Sequence, residues 1–386
     1  MSRARCCVSS QYPYSHSPKP KLHSTPRARS AMPSTVDAGQ RITPVRVSYP
    51  TLVANSKEVH EQLVSALGSG PGCLGIILIS DLPPVFPQLR EKLFRLARRF
   101  ADLPESEREK LARPETSYLF GWSHGKEVMN GKPDMQKGSY YANPLLDEPP
   151  VSNELKKAHP EYYAGNVWPK SIDGLEEFED TFKSLGKVIF DAGIALAKAC
   201  ESFVSPTLAD DKGAITSLIA SSKCNKARLL HYYPEPPSTS PSSTVQNDAL
   251  CGTHLDHSLL TGLCSAMYFT ATEPSEVVPA PSDTTGLWIY PRNSDTPVKV
   301  SIPEDCLAFQ TGEALSILTS NRLAATPHFV SGSTSSLQPV SRETFAFFLQ
   351  PDVDDVIGPD GETFGHFTKR VLGRHYAEKA AQEAED

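Results

Sequence analysis

The chain has 386 residues, of which 39% are hydrophobic and 22% charged, and 38 basic against 45 acidic side chains give a net charge of -7. This length and composition are typical of one large globular domain with extensions, or of two domains. The acidic balance excludes a general attraction to nucleic acid or anionic membrane, and no apolar run is long enough for a membrane helix. The 8 cysteines are scattered without a CxxC pair, which indicates free thiols in a reducing compartment.

Residues 1–40 differ in composition from the rest of the chain. They are rich in Arg, Ser and Pro, and the first acidic residue is Asp37. Such a segment resembles an organelle transit peptide, although its prolines would interrupt an amphipathic helix, and it has no apolar core of a secretory signal. A disordered extension has the same composition. We expect a cytoplasmic protein with a disordered extension, or alternatively a plastid or mitochondrial protein directed by residues 1–40.

Residues 41–215 form the predicted N-terminal α/β region. The pattern predicts a strand at 45–52, a helix after Asn55, a buried strand at 75–79, a helix ending near Phe100 and a long scaffold helix from Leu175 to about Phe203. Between them, residues 117–144 look irregular and rich in aromatic residues. Aromatic side chains on loops either fill a core or surround a ligand. The candidate substrate pocket consists of Tyr118, Phe120, Trp122, Tyr140, Tyr141 and, from a late strand, Phe348.

Residues 216–355 form the predicted β core, and residues 356–386 form the C-terminal segment with a terminal helix at 364–383. Short strands follow one another in the core after a Pro/Ser/Thr-rich loop at 235–247. This density of strands and turns predicts a β-sandwich or a jelly-roll, in an α+β fold that is mostly β. The predicted strands are 227–234, 259–268, 286–290, 298–300, 306–309, 314–318, 326–330 and 344–349.

His254 and Asp256 are two residues apart, so in an extended backbone their side chains leave on the same face. A second imidazole would complete a 2-His-1-carboxylate triad, which binds non-haem Fe(II) and leaves positions open. His328, at the start of a late strand, is the candidate. Arg342 and Thr344 also share a face, and their guanidinium and hydroxyl suit a carboxylate.

Three residues near His254 and Asp256 are interpreted as residues that do not bind the metal. His257 follows Asp256 and points the opposite way on an extended chain, so we expect it to support the site from outside or to face solvent. Cys251 and Cys264 are interpreted as packing residues because thiolates favour softer metals.

From about Thr43 to Pro351 the chain resembles the Fe(II)/2-oxoglutarate-dependent dioxygenases, in the branch of isopenicillin N synthase and the plant flavonoid and gibberellin oxidases. Any one matching segment is weak, but all five occur in the order that the family has. They are 100–104 (FADLP), 166–169 (NVWP), 231–234 (HYYP), 253–256 (THLD), and 312–315 (GEAL) continuing to His328 and to 342–344 (RET).

The resemblance implies a double-stranded β-helix with flanking N-terminal and C-terminal helices. It implies Fe(II) held by His254, Asp256 and His328. The far carboxylate of 2-oxoglutarate would meet Arg342 and Thr344. Tyr233, at the tyrosine of the 231–234 motif, would add a hydrogen bond to the cosubstrate.

The implied activity is an oxidoreductase of secondary metabolism. It would use O2 and 2-oxoglutarate to hydroxylate, desaturate or cyclise a small organic molecule and release succinate and CO2. A monomer is expected, with no nucleic-acid or membrane partner. Two alternatives stay open: an oxidase of the same fold without 2-oxoglutarate, in which Arg342 binds a substrate carboxylate, and a non-catalytic 2-oxoglutarate- or iron-binding protein. A zinc hydrolase is a further alternative.

The chain departs from the branch at four places. His231 stands where Asn is usual, Thr344 where Ser is usual, and Phe329 where Arg is common. An insert at 331–336 lengthens the interval between His328 and Arg342. None of these departures removes a proposed ligand.

Overall fold

The structure is a computed structural model that describes residues 41–55, 57–129, 132–204, 214–234, 250–272, 275–332, 339–358 and 360–371. The predicted extension at 1–40, the loop at 235–247, most of the insert at 331–336 and the terminal helix beyond residue 371 lie outside these residues. The six cysteines inside them are all free, as the scattered spacing predicts.

The helices include the two long amphipathic helices that the apolar spacing predicts. None of the helices in the described ranges is long and apolar enough to cross a membrane. Residues 364–371 are also helical, at the start of the predicted terminal helix. The helices are α1 (Tyr49–Ala54), α2 (Lys57–Leu67), α3 (Val85–Ala101), α4 (Glu105–Glu109), α5 (Asn153–Ala158), α6 (Pro160–Tyr163), α7 (Phe178–Cys200), α8 (Ala214–Ser221) and α9 (Glu313–Leu318), with 3-10 turns at Pro114–Thr116 and Glu201–Phe203.

The strands form two larger sheets and one small hairpin. They are β1 (Arg41–Ile42), β2 (Arg46–Ser48), β3 (Ile76–Ser80), β4 (Gly121–His124), β5 (Val128–Met129), β6 (Lys132–Pro133), β7 (Lys137–Ala142), β8 (Lys226–Tyr232), β9 (Cys251–His254), β10 (Leu260–Cys264), β11 (Met267–Thr270), β12 (Val277–Val278), β13 (Gly286–Ile289), β14 (Val298–Val300), β15 (Leu307–Thr311), β16 (His328–Ser331) and β17 (Val340–Leu349).

The five-stranded sheet has the order β1-β14-β13-β16-β9, and the ten-stranded sheet runs β2-β3-β15-β10-β17-β8-β7-β4 with β11 and β12 alongside. Nearly all pairs are antiparallel, and β1–β14 and β2–β3 are parallel. Apolar side chains from both sheets, among them Leu78, Ile289 and Val300, pack between them. The predicted fold class, a mixed fold around a jelly-roll core, is confirmed. The larger sheet takes strands from both sides of the predicted boundary at residue 215, and the division into domains stays a prediction.

Helices α3 and α7 cover the outer face of the ten-stranded sheet. Close packing depends on glycine where α7 crosses the sheet. A Cβ on Gly193 would lie 2.1 Å from Leu349 Cδ1, and a Cβ on Gly262 would lie 2.4 Å from Ile189 Cγ2. The helices therefore pack closely against one face of the sheet. The other face of the sheet carries the site.

Three local predictions are wrong. Segment 45–52 is not one strand, because Ser48 accepts a hydrogen bond from the Thr51 amide and caps α1. Segment 314–318 is the helix α9, since a short apolar run is consistent with either element. Residues 117–144 are not irregular throughout: β4 and β7 pair antiparallel, with Gly121 opposite Tyr141.

Candidate functional site

A cavity of about 260 Å³ lies between the two sheets. Its walls come mainly from alternate residues of neighbouring strands, since every second side chain of a strand faces the same way. From β17 these are Arg342, Thr344, Ala346 and Phe348, from β8 they are Arg228, Leu230 and Tyr232, and β9, its following loop and β16 add Cys251, His254, Asp256, His328 and Val330.

His254, Asp256 and His328 come together at this cavity, as the sequence predicts. Asp256 Oδ1 lies 3.7 Å from His254 Nε2 and 3.9 Å from His328 Nε2. One ligand atom from each residue lies within 4.8 Å of the others, and among the residues that the structure describes this is the one cluster suited to a metal ion. Two imidazoles and one carboxylate are the donor set of non-haem Fe(II) sites that keep open positions. The residues present therefore fit such an ion.

The strand register explains why the three residues meet. His254 ends β9 and is the direct antiparallel partner of His328, the first residue of β16. Asp256 follows in a loop that α9 holds in place: the Glu313 amide donates to the Asp256 carbonyl at 2.8 Å. Gly312 is required beside this loop, because a Cβ there would lie 2.0 Å from the Ser258 carbonyl oxygen.

Both imidazoles meet hydrogen-bond partners at Nδ1, which leaves each Nε2 toward the cavity. His254 Nδ1 lies 2.8 Å from the Gly252 carbonyl oxygen, and His328 Nδ1 lies 3.2 Å from the Thr326 carbonyl oxygen. Burial lowers the pKa of His254, but Cys251 and Asp256 outweigh it and raise the pKa to about 9. Burial lowers the pKa of His328 to about 4.

Arg342 is a buried cation without an anionic partner among the described residues. Its Nε and Nη1 atoms are buried and make no hydrogen bond. Its guanidinium carbon lies 4.9 Å from the ring centroid of Tyr232, and Tyr268 adds a side-chain hydrogen bond. A buried guanidinium with two unpaired donor atoms favours a carboxylate ligand. The far carboxylate of 2-oxoglutarate fits this requirement.

Thr344 is also in the cavity, but its hydroxyl donates to the Cys264 carbonyl oxygen at 3.2 Å. The predicted pair of Arg342 and Thr344 therefore shares one cavity.

Tyr233, the predicted cosubstrate-binding tyrosine, is not in the wall of this cavity. Tyr233 lies beyond the end of β8, and its hydroxyl accepts a hydrogen bond from Arg108. Tyr232 is the direct partner of Arg342 and is part of the cavity wall. The physical reason is the period of two, since a shift by one residue along a strand moves the side chain to the other face. Tyr232 is therefore a second candidate for the cosubstrate-binding tyrosine, and the role of Tyr233 stays a prediction.

Five of the six residues of the predicted aromatic substrate pocket lie outside this cavity. Trp122 and Tyr140 pack in the main core, with ring centroids 5.1 Å and 5.2 Å from that of Phe100. Phe120 is buried beneath Lys226, whose Nζ lies 3.9 Å from the ring centroid. Tyr118 and Tyr141 also lie outside the cavity, against Lys126 and Arg228.

Phe348 is the member of the predicted set that lies in the cavity wall. It packs with an apolar cluster that contains Leu230, Ala346 and Val330. This cluster forms the apolar part of the wall.

Sequence reasoning missed a charged network beside the cavity. Arg228 Nη2 lies 2.5 Å from Glu127 Oε1, and Lys137 Nζ bridges Glu127 Oε2 at 2.9 Å and Asp134 Oδ2 at 3.1 Å. Arg228 itself is part of the cavity wall. Arg228 lies four residues before Tyr232 on the same strand face, and this spacing could have identified it from the sequence. Its partners could not be identified in this way, because they come from a distant segment.

The interpretation of the cysteines was also incomplete. Both Cys251 and Cys264 are in the cavity wall, and Cys251 Sγ lies 3.8 Å from His254 Nδ1. Cys251 is therefore a neighbour of a proposed ligand rather than a packing residue alone. His257 is outside the cavity wall, with Nε2 3.8 Å from Glu313 Oε2.

Two of the departures from the family have partners in the structure. His231 and Glu343 are direct partners on β8 and β17, and His231 Nδ1 lies 2.9 Å from both carboxylate oxygens. Phe329 stacks on Trp288, with ring centroids 6.1 Å apart and an interplanar angle of 7°. Neither departure affects the cavity.

Residues 48–171 match the family described as the N-terminal region of non-haem dioxygenases in morphine synthesis. A curated relative, a 2-oxoglutarate-Fe(II) type oxidoreductase of Aspergillus fumigatus, is 27% identical over 187 residues, which are 46% of this chain and 49% of the relative. The chain therefore aligns with about half the length of this relative.

Solved structures share the fold over most of the chain. A full-length Neurospora crassa protein in complex with alpha-KG has a TM-score of 0.58 at 18% identity, and the match covers 85% of this chain and 91% of that protein. A putative 2OG-Fe(II) oxygenase family protein from Caulobacter crescentus has a TM-score of 0.60 at 21% identity, over 81% and 87%. JOX2 in complex with 2OG, Fe and JA has a TM-score of 0.55 at 14% identity, over 86% and 83%.

The five motifs, the jelly-roll core and the ligand triad agree with these comparisons. The chain is similar to the Fe(II)/2-oxoglutarate-dependent dioxygenases over residues 48–171 and in its fold.

Proposed function

We propose that the protein is an oxygenase that uses Fe(II), O2 and 2-oxoglutarate to oxidise a small organic molecule. One observation carries the proposal: a single cavity contains both the cluster of His254, Asp256 and His328 and the guanidinium of Arg342, two of whose donor atoms are unpaired. A metal site alone would suit many functions, and a buried cation alone would suit any acid. Their combination suits a 2-oxo acid that reaches from a metal ion to a guanidinium.

Each residue has a defined task in this proposal. His254, Asp256 and His328 would hold the iron through Nε2, Oδ1 and Nε2, and three protein ligands leave positions open for cosubstrate and O2. Arg342 would bind the far carboxylate through its guanidinium, two of whose donor atoms are unpaired, and Tyr232 would contact the same group. Bound iron and 2-oxo acid supply the oxygen-activating chemistry, with succinate and CO2 as coproducts.

The cavity wall would orient the substrate and exclude water. Leu230, Leu263, Val330 and Phe348 are apolar, and the acidic side chain in the wall is the proposed ligand Asp256. A compact organic molecule with an apolar body fits such a wall. Hydroxylation, desaturation and cyclisation all begin from a C–H bond placed beside the iron, so the outcome depends on this orientation.

Relatives support the choice of cosubstrate. Solved structures of the same fold contain alpha-KG in one case and 2OG with Fe in another. The alternative without 2-oxoglutarate would leave Arg342 for a substrate carboxylate, and the experiment below separates the two.

The test is turnover of 2-oxoglutarate by the full chain with Fe(II), O2 and a panel of small molecules. We expect succinate to form in step with oxidised product, and we expect none from His254→Ala. Oxygen consumption at an undiminished rate without 2-oxoglutarate would contradict the proposal and support the alternative oxidase. The absence of succinate together with normal iron binding by His254→Ala would also contradict it.

A further inference from the structure

Gln310 is a buried amide in direct contact with one of the proposed iron ligands. It lies on β15 with 0% of its surface exposed. Its Nε2 lies 2.6 Å from His328 Nδ1, and its Oε1 is buried without a hydrogen-bond partner. The proposed function uses His328 but leaves Gln310 without a role.

The Thr326 carbonyl decides which atom of His328 carries the proton. This carbonyl oxygen lies 3.2 Å from His328 Nδ1, and a carbonyl can only accept. A neutral imidazole has one N–H, so a proton on Nδ1 leaves the lone pair on Nε2. His328 Nε2 is the atom that faces Asp256 in the metal cluster. The carbonyl therefore favours the tautomer that can bind a metal.

The orientation of the Gln310 amide must agree with this tautomer. With its nitrogen toward His328, the amide would present an N–H to a nitrogen that already has one, and its oxygen would stay unpaired. After a rotation of 180° the oxygen faces Nδ1 and accepts its proton, which it shares with the more distant Thr326 carbonyl. Amide orientation is assigned from such partners. The separation of 2.6 Å lies just below the usual range of N–H···O distances.

We propose that Gln310 is a positioning residue for the iron site, and that its side-chain oxygen accepts the Nδ1–H of His328. This inference rests on the proposed function, because the metal ion gives the tautomer its purpose. The oxygen holds the imidazole in one tautomer and one ring orientation before the metal arrives. It also makes Nε2 a better donor to the metal.

The experiment measures binding of Co²⁺ to the metal-free full chain by equilibrium titration. Gln310→Met keeps the length of the side chain and removes the acceptor, so we expect Co²⁺ affinity to fall by about 10- to 100-fold. Gln310→Glu keeps an acceptor at the same position and should restore most of the affinity. Thr311→Val is the matched control: Thr311 is the next residue of β15, equally buried, with an unpaired hydroxyl. Its affinity should equal that of the unchanged chain.

Two results would overturn the inference while leaving the proposed function intact. One is Co²⁺ binding by Gln310→Met as tight as that of the unchanged chain. The other is Gln310→Glu binding as weakly as Gln310→Met, because an acceptor at this position would then have no value. If the unchanged chain takes up no Co²⁺, the proposed function is overturned as well.

A second readout needs no variant and so does not depend on variant folding. In the metal-free chain labelled with 15N-histidine, the ring nitrogens of His328 report the tautomer directly. We expect the proton on Nδ1. A proton on Nε2 would overturn the inference.

Discussion

Arg342 and Tyr232 are direct partners on β17 and β8, and the Arg342 guanidinium carbon lies 4.9 Å from the Tyr232 ring centroid. The face of an aromatic ring attracts a cation but uses none of its hydrogen bonds. Tyr232 therefore steadies the buried charge while Nε and Nη1 of Arg342 stay available. The arrangement is prepared for an anion that the protein itself does not supply.

Replacing Arg342 should separate stability from cosubstrate binding. Arg342→Met removes a buried charge that has no anionic partner among the described residues, and burying a charge without such a partner costs free energy. We expect the thermal midpoint of the metal-free protein to stay or rise. Affinity for 2-oxoglutarate should fall by at least about tenfold, since charge-assisted hydrogen bonds are lost. A large loss of stability with unchanged affinity would show that Arg342 has a structural partner instead.

The two adjacent tyrosines should behave differently. Tyr232→Phe removes one hydroxyl at the cavity and should weaken 2-oxoglutarate binding by about two- to tenfold, the value of one neutral hydrogen bond. Tyr233→Phe should leave this affinity unchanged, because its hydroxyl meets Arg108. Calorimetric titration of both variants provides the comparison. The opposite ranking would favour Tyr233 as the cosubstrate-binding residue.

Trp122 and Phe348 were predicted to share one pocket and should prove to have unrelated roles. Trp122 is 2% exposed and packs on Phe100, so Trp122→Ala should cost about 3–5 kcal/mol of unfolding free energy. The Trp122→Ala protein that still folds should have an unchanged KM for the substrate. Phe348→Ala should change KM or product distribution at a smaller cost in stability. Urea denaturation and steady-state kinetics on both variants check this, and an altered KM in folded Trp122→Ala would contradict the core assignment.

Lys226 should make stability depend on pH. Burial lowers its pKa to about 7, below the value of 10.5 for an unfolded chain. The unfolded state then binds more protons between these values, so this residue makes stability rise with pH from about 7 to 10.5. Lys226→Met should therefore be stabilising relative to the unchanged chain at about pH 6.5, and the advantage should shrink at about pH 9.5. Urea denaturation at both values gives the difference, and an advantage that grows with pH would contradict this assignment.

The cluster of proposed iron ligands could be predicted from the sequence because the signals of its residues are local or in family order. His254 and Asp256 lie two residues apart, and His328 and Arg342 follow on later strands in the expected sequence. Antiparallel pairing of β9 with β16 then brings the distant histidines together. Nothing more than the right set of strands is needed for this part of the site.

The remainder of the site depends on strand register and long-range contacts, which the sequence does not encode locally. Tyr232 and Tyr233 both fit the 231–234 motif, and only the pairing with β17 decides which faces the cavity. The sequence could not show which aromatic residues of β7 lie in the core and which line a pocket, because all six residues of this strand are buried. Gln310 and Glu127 carry no motif, and their importance follows from the atoms they contact.

The central claim is that one cavity holds iron in the triad and 2-oxoglutarate between the iron and Arg342. The most direct measurement is titration of 2-oxoglutarate into the anaerobic Fe(II) protein, monitored by the visible metal-to-ligand absorption band. The account predicts a saturable band in the unchanged chain, a band that requires much more 2-oxoglutarate in Arg342→Met, and no band in Asp256→Ala. A band of equal intensity and affinity in all three proteins, or none in the unchanged chain loaded with Fe(II), would contradict the account.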